Sequence, residues 1–266
     1  MSAAKPFLHK DLSYAVRGVL FDVYNQLGPN LPETFYRDAT AVGLEAANIR
    51  CQTEKQFNVY YHGVEVGRYS VDIWIEDGKI ILELKVAPQL LPIHKAQALS
   101  YLKVTNADLA FLVNFGQASL ADERLPNFLR DKKAVYNWRP QKPDPKLLYA
   151  ELVNELLAVL HRVHFELGSG FFHYVYRRAT MVELQEQSIG YEYIKETPVY
   201  YKNTHLGTEQ TRLIFVENKV MVGAVAVREL TDAMKAQLKA KMRRHNVSLG
   251  LIANFNKTQL EFMIVR

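Results

Sequence analysis

The chain has a single cysteine, Cys51, in 266 residues, which excludes an internal disulfide framework and a cysteine-based zinc cluster. It has no apolar run long enough to cross a membrane, and none resembling a signal sequence between Met1 and Lys10. From these absences we expect a cytoplasmic protein with no membrane partner. Compositional extremes are missing too. With 48% hydrophobic and 23% charged residues, nothing points to a disordered, collagenous or coiled-coil chain, and an ordinary globular protein remains. Nor is charge of one sign abundant. The net +5 is unevenly divided, with about 16 basic against 15 acidic residues over 1–140 and about 17 against 13 over 141–266. The densest basic stretch, Lys235, Lys239, Lys241, Arg243, Arg244 and His245, suits either a polyanion or a solvated helix face.

What the chain does have is a repeat. Shifted by 140 positions without a gap, it lays Leu27-Gly28 on Leu167-Gly168, Tyr36-Arg37 on Tyr176-Arg177, Val59-Tyr60-Tyr61 on Val199-Tyr200-Tyr201, and Asn114-Phe115 on Asn254-Phe255. Roughly a quarter of about 110 aligned positions are identical, too many in one register for chance. The expected organisation is a first domain over 1–130, a linker over 131–146 with three prolines, and a second domain over 147–266.

Each copy reads as α-α-β-β-β-α-β. In the first, Leu12, Val16, Leu20, Val23 and Leu27 recur at helical spacing and Gly28-Pro29 ends the run. A second helix is predicted from Pro32 to Asn48, strands over 55–61, 66–75 and 80–86, a helix over 92–104 and a strand over 109–115. This order predicts a mixed sheet flanked by helices, an α/β fold present twice, with the copies related by a pseudo-two-fold axis.

The Asp77-Gly78 turn predicts that Glu76 pairs with Lys79, which places Asp72 opposite Glu83. Two like charges there repel unless something neutralises them. Alternation along 80–86 puts Glu83 and Lys85 on one face and Leu82, Leu84 and Val86 on the other. A lysine can neutralise one carboxylate. A hard divalent cation bridging both, with waters left for a phosphate, fits better. Glu33 begins a helix, and Gln97 and Tyr101 share a helical face at i, i+4. His94 reads as a helix-start residue, not a ligand.

Asp72 followed by Glu83-Leu84-Lys85 resembles the signature of PD-(D/E)XK nucleases, and Gln97-x-x-x-Tyr101 is similar to a helix motif of that superfamily. Asn30-Leu31-Pro32-Glu33-Thr34-Phe35-Tyr36, Tyr60-Tyr61-x-Gly63 and Val113-Asn114-Phe115-Gly116 resemble its GxxExxY branch, with Asn30 in place of the motif glycine. The resemblance implies a nuclease using Mg2+ or Mn2+ on nucleic acid, DNA before RNA. Asp72, Glu83 and the Leu84 carbonyl would hold the metal, and Glu33 a second metal or a water. Lys85 would orient or help deprotonate the attacking water and stabilise charge on the phosphate, and Gln97 would position Lys85 or the backbone phosphate.

The second copy replaces Glu33, Asp72, Glu83 and Lys85 by His173, Arg212, Gly223 and Val225. It is expected to be inactive, acting as a tethered partner in a monomer or gripping nucleic acid through Arg212, Lys235, Lys239, Arg243 and Arg244, with Tyr101 of the first copy. The competing expectation is a non-catalytic nucleic-acid-binding or assembly protein built on a nuclease frame.

Overall fold

The computed structural model describes residues 8–131, 136, 138, 139, 142 and 144–266. Most of the N-terminal segment read for a signal sequence, and linker residues 132–135, 137, 140, 141 and 143, lie outside the described residues. The chain divides into two compact units. One comprises Met1–Asn58 with Arg68–Asp131; the other comprises Val59–Gly67 with Lys132–Arg266. Among the described residues no helix is long and apolar enough to cross a membrane.

In the first unit, helix α1 (Lys10–Leu27) buries Val16, Leu20 and Val23, the stripe expected from their spacing. It stops at Gly28, whose φ of 70° lets its N–H turn back to the Tyr24 carbonyl at 2.8 Å. Helix α2 (Glu33–Ala46) starts directly after Pro32 and buries Tyr36, Thr40 and Leu44. Strands β1 (Cys51–Tyr61), β2 (Val64–Ile75), β3 (Ile80–Lys85), β4 (Leu109–Asn114) and β5 (Ala121–Pro126) form one sheet in the order β1-β2-β3-β4-β5, of which only the β1–β2 tip, Val59–Gly67, is counted with the other unit. β3 and β4 are parallel, as their crossover through helix α3 (Pro92–Thr105) requires; β2–β3 and β4–β5 are antiparallel.

One face of this sheet packs on the two N-terminal helices. Val16, Leu20, Tyr36 and Leu44 meet Ile73, Leu82, Leu84, Phe111 and Val113 there. Burying the apolar stripe of each helix on a strand face is the main stabilising term of such a layer. Because side chains alternate along β3, Glu83 projects away from the core that holds Leu82 and Leu84.

β5 was not expected from sequence. Ala-Asp-Glu-Arg-Leu-Pro has no apolar alternation, and the segment is a strand because β4 offers it an edge to pair with. Its charges and terminal proline suit that outer position.

The second unit repeats the plan with α4 (Ala150–Leu167), α5 (His173–Glu186), β6 (Tyr191–Tyr201), β7 (Thr204–Val216), β8 (Val220–Val225), α6 (Asp232–Arg244), β9 (Leu249–Asn254) and β10 (Glu261–Val265). Its sheet has the order β10-β9-β8-β7-β6, with β8 and β9 parallel. One difference matters. Val216 pairs with Val220, whereas Ile75 pairs with Ile80 in the first unit. The shorter loop slides β7 one residue along β8, so Arg212 and Gly223, which stand where the first copy has Asp72 and Glu83, do not pair. Leu213 stands against Gly223 instead, 3.2 Å from where a Cβ would sit. Arg212 takes a left-handed φ of 53° beside it.

Candidate active site

The residues that both copies kept hold loops. Tyr36 is fully buried and stacks on Phe115 with ring centroids 4.1 Å apart. Its hydroxyl donates to the Gly28 carbonyl at 2.6 Å and accepts the Leu31 N–H at 3.0 Å. Tyr176 does the same, stacking on Phe255 and bonding the Gly168 carbonyl and the Phe171 N–H. Between these anchors Asn30 has φ 68° and its counterpart Gly170 has φ 116°, a left-handed conformation that glycine enters freely and asparagine tolerates. The exchange therefore leaves the loop shape intact.

Asn114 is the second fixed point. Its Oδ1 accepts the N–H groups of Ala87 and Gly116, and its Nδ2 donates to the Ala87 carbonyl at 2.8 Å. Asn254 makes the equivalent bonds to Val227 and Asn256. A side chain on Gly116 would run into the Ala87 backbone, which explains the glycine. These clamps tie down the chain on either side of the ends of β3 and α2.

The differing residues converge between those clamps. The β2–β3 ladder runs in the expected register through Ile75↔Ile80, Trp74↔Ile81 and Ile73↔Leu82. Asp77 and Gly78, with φ of 53° and 94°, supply the left-handed backbone at the turn. One step beyond the ladder, Asp72 Oδ2 accepts the Leu84 N–H at 2.7 Å, so Asp72 lies against β3 at Glu83 and Leu84. Lys85 Nζ lies 2.5 Å from Glu83 Oε1 and donates to the Leu84 carbonyl at 3.0 Å. Glu33, in the first turn of α2, accepts the Val86 N–H at 3.2 Å. Asp72, Glu83, Leu84, Lys85 and Glu33 are therefore one cluster.

Its electrostatics are strained in one direction. Glu83 is 1% exposed, and beyond the Lys85 ion pair its two oxygens have no hydrogen-bonding partner. Burial, then the charge of Asp72, pushes its carboxyl up to about 8. Burial also raises Asp72, against the pull of the Leu84 N–H and Lys85. For Lys85 burial works against the charge, but Glu83, Glu33 and Asp72 outweigh it and hold the ammonium above its usual range. An acidic site short of positive charge suits a divalent cation. Two carboxylates and a carbonyl are the oxygen donors that magnesium takes alongside waters. The fit is not a ready-made cage, since among the described residues no three His, Cys, Asp or Glu side chains are grouped to hold a metal by themselves.

Gln97 Nε2 donates to the Tyr101 hydroxyl at 3.0 Å, joining the two motif residues on α3. Tyr101 itself is 8% exposed, with its ring edge-on to Tyr69. His94 accepts the Leu91 N–H through Nδ1 at the start of α3, in keeping with a helix-start role. In the second unit Lys235, Lys239, Arg243 and Arg244 are exposed along α6, and Arg244 is ion-paired with Glu209.

Arg177 escaped the sequence reading. It is 8% exposed, and its Nε has no hydrogen-bonding partner. The signal was present in the repeat itself, where Tyr-Arg recurs at 36–37 and 176–177. Arg37 pairs with Asp38 at 2.9 Å and Glu54 at 2.6 Å, whereas Arg177 lies over the Tyr193 ring.

No curated protein matches the chain. A solved structure described as "Crystal structure of SSO0001" is 18% identical with a TM-score of 0.28, covering 47% of this chain and 70% of that one, a likeness too slight to build on. A family model of the PD-(D/E)XK nuclease superfamily matches residues 10–125 and again 150–266. With both copies matched over nearly their whole length, the chain belongs to the PD-(D/E)XK nuclease superfamily.

Proposed function

We propose that the first copy hydrolyses phosphodiester bonds of nucleic acid, DNA before RNA, with Mg2+ or Mn2+ held by Asp72, Glu83 and the Leu84 carbonyl. The observation that carries this reading is Glu83. A buried carboxylate beside a second one destabilises a strand interior, and the fold does not need it, because the second copy builds the same strand with Gly223. Retention of such a group is the mark of a working site.

The metal, when bound, supplies Lewis acidity at the phosphate and lowers the pKa of water. Lys85 now bonds the same two oxygens, Glu83 Oε1 and Leu84 O, that this reading assigns to the metal. With its ammonium turned to the phosphate, it would stabilise developing charge there. Glu33, held to the Val86 N–H, orients the attacking water. Gln97, anchored on Tyr101, positions the lysine or the strand.

The second copy is inactive on this reading, since Arg212 and Gly223 offer no metal ligand. Lys235, Lys239 and Arg243, spaced along one exposed face of α6, and Arg212 contact the strand through its phosphates. We further take the chain to be of the GxxExxY branch, a reading supported by the motif-like run from Asn30 to Tyr36. We take it to act as a cytoplasmic monomer.

The test is incubation with single-stranded, duplex and branched DNA and RNA plus manganese. Cleavage that Glu83→Ala and Lys85→Ala abolish is expected. A wild-type protein that leaves every substrate intact removes this reading and leaves the non-catalytic binding protein in its place.

A further inference from the structure

The second copy did more than lose its carboxylates. Where the first unit has its acidic cluster, the second has a cavity of about 190 Å³, room for roughly six waters at about 30 Å³ each. His173, Arg177, Arg212, Gly223 and Lys241 line it, and its lining includes no carboxylate. Gly223 opens the space that a side chain fills in the first unit.

Four features of this cavity suit an anion. Arg177 is more than nine-tenths buried; its guanidinium bonds Tyr193 and lies over that ring, while its Nε is without a hydrogen-bonding partner. A buried guanidinium donor left unbonded is costly unless something binds it. Arg212 stands at the rim on a left-handed backbone. Lys241, where the first unit has Tyr101, donates to the Gln210 and Thr211 carbonyls and lies 3.4 Å from Glu209, the nearby acid, which it shares with Arg244. Finally, His173 opens α5, whose first turn carries no acidic residue and whose N-cap Phe172 offers no side-chain cap. In the first unit Glu33 fills that role from within the chain. A helix N-terminus without its own carboxylate attracts an outside anion. Burial, and then the positive charges of Arg177 and Arg212, depress the His173 imidazole, so both guanidiniums bear on the same space.

We propose that this cavity binds a phosphate group, held by Arg177 and Arg212 with Lys241 at the N-terminus of α5. The old metal site has thus had its charge inverted, and it takes the anion directly where the first copy takes it through a cation. The anion site does not depend on cleavage by the first copy. It rests on the proposed function only for a nucleic-acid strand as the source of the phosphate.

The experiment uses the full chain in EDTA, so that nothing depends on metal at Asp72 and Glu83. Calorimetry at constant ionic strength compares inorganic phosphate, a 5′-phosphorylated oligonucleotide and its 5′-hydroxyl twin. Saturable phosphate binding is expected, weakened at least about tenfold by Arg212→Gln, since a charge-assisted hydrogen bond is lost. Gly223→Glu should abolish it by placing a carboxylate among the same cations. Its Cβ would press only on the flexible end of Leu213, so the fold should survive, as circular dichroism will verify. Lys195→Gln, at an exposed position outside the cavity, should leave the affinity unchanged. Tighter binding of the phosphorylated strand, competed by inorganic phosphate, identifies a strand terminus as the source; binding of inorganic phosphate with no gain for the strand identifies the free ion. Absence of saturable phosphate binding, or wild-type affinity in both Arg212→Gln and Gly223→Glu, overturns the proposal.

Discussion

Replacing Glu83 by Gln keeps the shape of the buried acid and removes its charge. The native protein holds a proton on Glu83 that the unfolded chain releases between the ordinary 4.5 and about 8. The unfolded state binds fewer protons over that window, so metal-free stability falls as pH rises through it and levels off above. At about 1.4 kcal/mol per pH unit, the interval sets a ceiling of about 5 kcal/mol. The pull of Lys85 on the ionised carboxylate is already contained in that interval, so the expected difference above pH 8 is about 3–5 kcal/mol. The assay is urea unfolding in EDTA at several pH values from 5 to 9. Trp74, whose ring packs over Gly78 at the β2–β3 turn, reports on the first unit once Trp138 is replaced by Phe. Glu83→Gln should match wild type near pH 5 and become progressively more stable toward pH 8. Parallel pH profiles for the two proteins would show that Glu83 titrates normally, and the case for a charge-deficient site would fall with it.

Three further outcomes are expected. Magnesium held as proposed would have to displace the same proton, so calorimetric affinity should rise by up to about tenfold per pH unit until about pH 8, and Asp72→Asn should remove binding at every pH. Tyr36→Phe and Tyr176→Phe should each cost about 1–3 kcal/mol in denaturant unfolding, because each strands a carbonyl and an N–H in the buried loop; a change below a few tenths would deny the clamp. Gly78→Ala, at φ 94° and against the Trp74 ring, should lower the melting temperature of the first unit by the equivalent of at least about 1 kcal/mol; an unchanged melting curve would mean that the turn tolerates a side chain there.

Much of this molecule follows from local patterns along the chain. The 140-residue repeat, the helix at Leu12–Leu27 ended by Gly28, and the hairpin that brings Asp72 to Glu83 and Lys85 all come from short-range rules. A turn sets the register, and period-two alternation sets the face. The four exchanged charges could be picked out for the same reason, since the repeat compares each site position with a copy built on the same frame.

Tertiary structure decided what depends on neighbours far along the chain. β5 is a strand because β4 presents an edge, which its own residues do not announce. Tyr101 is largely buried with its ring edge-on to Tyr69, a surrounding that its place on a helix does not announce. Arg212 stands out of register with Gly223 by one residue, next to an irregularity in the pairing of β7 with β6 that neither strand's sequence announces. The buried Nε of Arg177 gains its meaning only from the cavity that Gly223 and the departed carboxylates leave around it. Spacing along a chain can say which charges share a strand. Whether a charge ends up buried, paired or waiting for a ligand depends on the desolvation and packing that only the folded chain imposes.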